Sequence, residues 1–189
     1  TYNLKGEITQ KENFQRGIKN GPQRINCTQS QKCTDSTTAY FPYTHYYEYF
    51  KNGELNGFKE FFSEKRKTFE IYYKDGLRIG PYKKYDSYGN LSYEYSEVRD
   101  DLCTGNFKSY SSNGQITANG FMTLGNCGYT TYYSSIIDER KRGNWTFWYD
   151  NGNKQSEGSF TYEFFNEEKY KNFDLPGSKV GRWFEWDID

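Results

Sequence analysis

Few residues of this chain could take part in catalysis. The only histidine is His45, in FPYTHYYEYF, so no His-based metal triad can form, and no nucleophile motif accompanies it. Asp100–Asp101 and Glu167–Glu168 are adjacent carboxylates, whose side chains point apart on an extended chain. We expect His45 to stack on a ring or to lie on the surface. The sequence predicts no enzyme, no metal site and no cofactor; a glycosidase, with two carboxylates about 5–10 Å apart, is the catalytic alternative.

Four cysteines are the second candidates for chemistry: Cys27, Cys33, Cys103 and Cys127. They allow three pairings, and we predict Cys27–Cys33 and Cys103–Cys127, the latter in nearly equivalent loops. Two strand spacings, ~9.6 Å, exceed the ~7 Å reach of a disulfide, so those loops must lean together. The alternatives are a zinc site, whose usual spacing the sequence lacks, and four reduced thiols in the cytoplasm. Disulfides predict an exported protein, at the cell surface, in the periplasm or outside the cell.

Charge and composition narrow the classes of partner. Lys plus Arg and Asp plus Glu both number 25, and without a basic excess we expect no binding to nucleic acid or to an anionic membrane. The sequence has no apolar run of membrane-spanning length. It begins at Thr1 rather than Met, which is compatible with removal of a signal peptide or lipid anchor. Aromatic residues make up 21% of the chain and supply core material where aliphatic residues are few.

Aromatic residues and glycine recur along the chain in one repeated frame, and this frame determines where the candidate side chains lie. GNWTFWYDNG contains aromatic-x-x-aromatic-x-x-x-Gly, formed by Trp145, Trp148 and Gly152. The frame recurs in full at Tyr46/Tyr49/Gly53, Phe69/Tyr72/Gly76, Tyr82/Tyr85/Gly89 and Phe107/Tyr110/Gly114, and without the last glycine at Phe58/Phe61, Tyr129/Tyr132 and Trp183/Trp186. A glycine precedes most copies. The interval from Gly57 to Gly80 is 23 residues, which suits one hairpin per repeat.

The turns between the copies predict the fold class. Asn-Gly or Asp-Gly at 52–53, 75–76, 113–114 and 151–152 supplies the positive φ angles of tight hairpin turns. A continuous helix is disfavoured because glycine recurs about every dozen residues and no 3.6-residue apolar stripe survives. We therefore predict an all-β protein, an elongated single-layer antiparallel meander of hairpin repeats that is twisted and curved.

This pattern of glycine, a ring pair and Asn-Gly resembles the MORN repeat, and it is most similar to the bacterial variant in proteins often labelled as antitoxins of toxin–antitoxin systems. The resemblance covers residues 40–189, and residues 1–39 match it poorly. We therefore expect an N-terminal capping segment, 1–39, and a repeat array, 40–189, in one continuous domain. The resemblance implies an elongated sheet used for binding or scaffolding, and it implies no reaction.

Rings on both faces of a one-layer sheet can stack from strand to strand and stabilise it. The first rings of the copies are predicted to form one ladder: Tyr46, Phe58, Phe69, Tyr82, Phe107, Tyr129, Trp145 and Trp183. The ring three residues later points to the opposite face, where polar neighbours favour exposure. This second ladder is the candidate binding surface: Tyr49, Phe61, Tyr72, Tyr85, Tyr110, Tyr132, Trp148 and Trp186.

The predicted function is a non-catalytic protein-interaction or scaffold module, exported or part of an envelope complex. One alternative is a carbohydrate-binding protein that stacks sugar rings on the second ladder. Another is a cytosolic antitoxin-like binding protein, which only the family label suggests. For any single ring, the simpler explanation is that it holds the sheet together.

Overall fold

The structure is a computed structural model that describes residue 1 and residues 10–26, 45–99, 102–125, 140–160 and 179–188. Its strands are β1 (Gln10–Lys11), β2 (Phe14–Gln15), β3 (Ile18–Lys19), β4 (Gly21–Asn26), β5 (His45–Lys51), β6 (Glu54–Leu55), β7 (Gly57–Ser63), β8 (Arg66–Lys74), β9 (Leu77–Tyr85), β10 (Leu91–Arg99), β11 (Leu102–Tyr110), β12 (Ile116–Gly125), β13 (Arg140–Trp148), β14 (Lys154–Phe160) and β15 (Lys179–Glu185). Within these ranges there is no helix, and hence none that could span a membrane.

From β7 to β15 the strands form a meander in which neighbours in the chain are neighbours in the sheet, whereas β2 and β3 form a separate two-stranded sheet. The order of the 13-stranded sheet is β1-β4-β5-β7-β8-β9-β10-β11-β12-β13-β14-β15, with β6 paired to β5. Every pairing in this sheet is antiparallel. The predicted all-β fold, an elongated single-layer antiparallel meander, is confirmed.

The hairpin turns are of two kinds. Asn52 and Gly53 have φ of 51° and 90°, and Asp75 and Gly76 have φ of 50° and 77°, as expected for the tight two-residue turn. At the turn containing Asn113-Gly114, the glycine alone has positive φ, 83°. There the loop is longer and closed by the Ser111 amide, which donates to Gln115 O at 2.8 Å. The prediction of a hairpin holds at 113–114 and 151–152, but the tight turn geometry predicted there is wrong.

One face of the sheet, here called the inner face, carries the buried hydrophobic side chains. They are mostly aromatic: Phe61, Phe69, Ile71, Tyr73, Tyr82, Tyr95, Ala118, Met122 and Trp145. The opposite face, here called the outer face, bears half-buried rings and paired charges. Because side chains alternate along each strand, one strand contributes to both faces, as Trp145 and Trp148 do on β13.

Residues 10–26 extend this sheet beyond the repeats. β4 pairs along its whole length with β5, from Gly21 opposite Phe50 to Asn26 opposite His45. Its Gln23 side chain is 1% exposed because the preceding segment covers it. Gln23 Nε2 donates to Asn13 O at 3.0 Å, and Asn13 N donates to Gln23 Oε1 at 2.9 Å. These bonds satisfy the buried amide and fix the N-terminal segment to the edge of the sheet.

Candidate binding surface

A continuous column of aromatic rings runs along the inner face from β5 to β15. The ring centroids are 5.6 Å apart for Tyr46–Phe61, 4.2 Å for Phe61–Phe69, 5.9 Å for Phe69–Tyr82, 6.5 Å for Tyr82–Tyr95, 5.0 Å for Tyr95–Phe107, 5.7 Å for Phe107–Trp145, 5.6 Å for Trp145–Phe147 and 6.4 Å for Phe147–Trp183. Each such pair contributes about 0.5–1.5 kcal/mol beyond the area it buries. The column is the interior of this one-layer sheet.

Two glycines make room for the indoles in the column. Gly120 lies beneath Trp145, and a Cβ built on it would come within 2.2 Å of Trp145 Cδ2. Gly158 lies beneath Trp183 in the same way, at 2.3 Å. The bare glycine backbone lets Phe107 on β11 meet Trp145 on β13 across the strand between them. A ring from one strand thus covers the place where its neighbour has no side chain.

Positions of the predicted first ladder lie mostly in the inner column: Tyr46, Phe69, Tyr82, Phe107, Trp145 and Trp183. Phe58 is the exception, because it lies on the outer face, edge-on to Tyr72 with ring centroids 5.2 Å apart. Its motif partner Phe61 takes its place in the column. Antiparallel neighbours run in opposite directions, so Phe61 pairs with Phe69, and Phe58 pairs with Tyr72. Tyr129 lies outside the described residues.

Five members of the predicted binding ladder do lie on the outer face, half-buried: Tyr49, Tyr72, Tyr85, Tyr110 and Trp148. Trp186, which follows β15, is 41% exposed and stacks near Phe184 at 6.3 Å. The expectation that Phe61 is exposed is wrong, since only 1% of it is accessible. Tyr132 lies outside the described residues.

Glycines of the motif provide the space in which two of these outer-face rings pack. A Cβ on Gly57 would lie 3.1 Å from Tyr49 Cβ, and one on Gly80 would lie 2.9 Å from Tyr72 Cδ1. Both glycines also have strongly positive φ, 124° and 121°, a backbone conformation that other residues rarely adopt. The glycine that introduces each of these copies is therefore the platform on which the second ring of the preceding copy rests.

Tyrosine hydroxyls of the outer face donate hydrogen bonds to a row of glutamate side chains on the same face. Tyr49 Oη donates to Glu60 Oε2 at 3.3 Å, and Tyr110 Oη donates to Glu94 Oε1 at 2.6 Å. Burial, together with the carboxylate, raises the pKa of Tyr110 to about 12. Burial and the nearby Glu70 likewise raise the pKa of Tyr85 to about 12. These phenols therefore stay neutral and remain hydrogen-bond donors across the physiological range.

The carboxylates of this row are neutralised by lysines. Glu60 and Glu70 are directly opposite each other on β7 and β8, and Lys67 binds both, with its Nζ 2.7 Å from Glu70 Oε2. Lys83 Nζ lies 3.6 Å from Glu70 Oε1. Lys67 Nζ also lies 5.6 Å from the centre of the Tyr85 ring, a cation–π contact. The outer face is consequently aromatic and charged, but locally balanced in sign.

Cations also lie over the inner column. Lys59 Nζ is 4.8 Å from the centre of the Tyr46 ring and 2.9 Å from Glu48 Oε1. Lys84 Nζ is 5.6 Å from the Phe69 ring, and burial lowers the pKa of Lys84. These ammonium groups make cation–π contacts with the rings, and Lys59 also pairs with the Glu48 carboxylate. Both lysines therefore contribute to covering the β5 to β8 part of the column.

His45 is stacked on a ring, as expected. Its imidazole lies parallel to Phe62, with centroids 4.9 Å apart and planes at 7°. Desolvation, and to a lesser extent the charge of Arg24, lowers the pKa of His45. Around it the described residues hold no group of three or more metal-ligating side chains.

The predicted disulfides fall outside what the structure describes. Cys27, Cys33 and Cys127 lie outside the described residues, and Cys103 is placed in β11 only by its backbone. The carboxylate pairs 100–101 and 167–168 lie outside them as well. The two disulfides therefore remain a prediction.

Some residues of the column do not belong to any copy of the motif and were not predicted. Tyr93 and Tyr95 on β10 bridge Tyr82 and Phe107, and Met122 on β12 accepts a hydrogen bond from Tyr95 Oη at 3.3 Å. The signal for the tyrosines is the alternation in LSYEYSEV, a half-buried strand without the three-residue spacing.

No protein-family model matches the chain, and no curated protein matches it.

Proposed function

We propose that the chain is a non-catalytic protein-interaction or scaffold module that binds a protein partner on its outer face. The observation that carries this proposal is the row of half-buried rings there: Tyr49, Tyr72, Tyr85, Tyr110 and Trp148. Tyrosine and tryptophan are enriched at protein interfaces because they bury a large area at a small entropic cost while keeping a polar atom for hydrogen bonding.

The charges of the outer face support a protein partner of no strong net charge. Glu60, Glu70 and Glu94 are each engaged by a lysine or a tyrosine hydroxyl. A polyanion or polycation would have to displace these contacts, whereas a neutral amphipathic surface can pack on the rings and leave them intact. The resemblance to MORN repeats, with their role in binding and scaffolding, supports the same proposal.

Location is part of the proposal, because the partner is expected in the envelope or outside the cell. It depends on the predicted pairing of the four cysteines. Intact mass measured after thiol alkylation, with and without prior reduction, tests it. Full alkylation without reductant would contradict export and favour the cytosolic alternative.

The partner is tested by quantitative capture on the immobilised full chain from an extract of the source cells, followed by binding of the purified partner. Trp148→Ala is expected to weaken binding of that partner at least about tenfold. Tyr88→Ala is the matched control, since Tyr88 is 79% exposed in a turn and lies off the ring row. Equal binding by both variants and the parent chain would contradict the proposal.

A carbohydrate is the second candidate ligand, favoured by the exposed indole of Trp186. A flat ring of this kind stacks on the apolar face of a sugar. A glycan array, followed by calorimetry with Trp186→Ala and with Tyr88→Ala as control, tests it. A signal that both variants retain, or a blank array, would remove this candidate.

A further inference from the structure

The second edge of β15 is an exposed, partly apolar strand edge. In the described ranges β15 pairs with β14 alone. Val180 is 38% and Phe184 49% exposed. An edge of this kind presents unpaired backbone groups and is a template for a further strand.

The structure already contains an equivalent strand whose second edge is occupied. Trp145 on β13 lies over Gly120, and Trp183 on β15 lies over Gly158. Each strand also pairs irregularly with the strand before it, because five of its residues lie opposite three of that strand. On β13 these are Arg142 to Thr146, opposite Phe121 to Asn119, and on β15 they are Val180 to Phe184, opposite Ser159 to Glu157. β13 and β15 are thus the same element in successive hairpins.

The second edge of β13 shows what such an edge accepts. β14 pairs with it in regular register from Gly143 to Phe147, with Phe160 opposite Gly143 and Gly158 opposite Trp145. A strand on the second edge of β15 should likewise place a ring opposite Gly181 and a glycine opposite Trp183. Among the described residues there is space for the ring, because none of their atoms lies within 4 Å of a Cβ built on Gly181.

We propose that this strand is β15 of a second copy of the chain, so that two copies join edge to edge about a two-fold axis perpendicular to the sheet. An antiparallel register with Gly181 opposite Trp183 of the second copy meets both requirements at once. The same register places Lys179 opposite Glu185 of the second copy, and Val180 opposite Phe184 of the second copy. The sequence KVGRWFE is therefore complementary to itself in the antiparallel sense.

Charge supports a second copy over an unrelated strand. The symmetric register forms two Lys179–Glu185 pairs between the copies, and opposite charges facing each other stabilise a strand pair. Within one copy the two side chains are 55% and 70% exposed, with Lys179 Nζ 3.3 Å from Glu185 Oε1, so both can exchange partners. Arg182 faces itself at the axis, where its exposure to water screens the repulsion. This dimer does not depend on the outer-face binding proposed above.

The test is sedimentation of the full chain and of two charge variants. The parent chain is expected to dimerise, whereas Lys179→Glu and Glu185→Lys should each weaken dimerisation at least about tenfold, because like charges then face each other twice. An equimolar mixture of the two variants should form a heterodimer, since both facing pairs become opposite in sign. A parent chain that stays monomeric, or a mixture that stays monomeric, overturns the proposal.

The register is tested by cysteine cross-linking. Residues directly opposite in an antiparallel pair have Cα atoms about 4.5–5.5 Å apart, within the range of a disulfide. Arg182→Cys should therefore cross-link to its own copy under mild oxidation. Val180→Cys, which faces Phe184 of the second copy, is the control and shows the background from the four native cysteines. No cross-linking at 182 above that background overturns the proposal even if a dimer is present.

Discussion

Replacing Gly120 with alanine should destabilise the protein by about 3 kcal/mol, although the change adds a single methyl group. The new Cβ would lie 2.2, 2.3 and 2.5 Å from three atoms of the Trp145 indole, far inside the ~3.5–4.0 Å contact distance of carbon atoms. Gly120 does not have positive φ, so alanine imposes no backbone strain. The whole effect must come from the clash with the indole.

The magnitude follows from what holds the indole in place. Trp145 is 1% exposed, and its Nε1 donates to Phe121 O and Arg142 O, both at 3.2 Å. Overpacking costs about 1–3 kcal/mol, and weakening this shared hydrogen bond costs about 1–2 kcal/mol. The better strand propensity of alanine returns about 0.5–1 kcal/mol. The sum is a net loss of about 3 kcal/mol.

Urea unfolding followed by circular dichroism measures this loss, and a double-mutant cycle assigns it. In a Trp145→Leu background, Gly120→Ala should lower the free energy of unfolding by less than about 1 kcal/mol, because the clash is gone. Gly158→Ala is the matched variant, and its loss should be smaller because Trp183 lies on the edge strand and can move outward. An equal cost of Gly120→Ala in both backgrounds would refute the packing of indole on glycine.

Three further predictions concern charge and ionisation. The pKa of Tyr85 and of Tyr110 is about 12 in the folded chain against an ordinary 10, so their contribution to stability should be full below pH 10 and be lost as pH rises to about 12. Thermal melts across this pH range should show the loss of stability, and Tyr110→Phe should make the loss smaller. A loss of the same size in Tyr110→Phe would contradict the prediction. The pKa of His45 is below 6.5, so its contribution should be present above pH 6.5 and be lost as pH falls through the folded value. A normal pKa in an NMR titration of this single histidine would contradict that. Lys67→Met should cost about 1–2 kcal/mol by leaving two glutamates facing each other, and adding Glu60→Gln should recover most of it; no recovery would mean that the lysine acts by packing alone.

The fold was predictable because its signals are local. A glycine, a ring pair and an Asn-Gly turn each constrain a few residues, and their recurrence specifies hairpins joined in chain order. The tight turns at 52–53 and 75–76 were predictable for the same reason. The turns at 113–114 and 151–152 differ because their type depends on loop length and closing hydrogen bonds, which the dipeptide alone does not determine.

The faces of individual rings were less predictable than the fold. The motif treats Phe58 and Phe61 as the first and second rings of a copy, yet register and strand direction put Phe61 inside and Phe58 outside. The hydrogen bonds of the outer face were also hard to predict, because they join residues that are distant in the sequence. Nothing in the sequence alone links Tyr110 to Glu94, because their hydrogen bond depends on the alignment of β10 with β11.

The chain-order pairing of the strands has a mechanical and evolutionary consequence. Contacts between strands are concentrated between sheet neighbours, so cohesion is transmitted from each hairpin to the next rather than through a shared centre. Melting should begin at the ends and advance inward. A whole hairpin could be duplicated or deleted without changing the rest of the sheet, provided that a tryptophan and the glycine beneath it on the neighbouring strand are both kept.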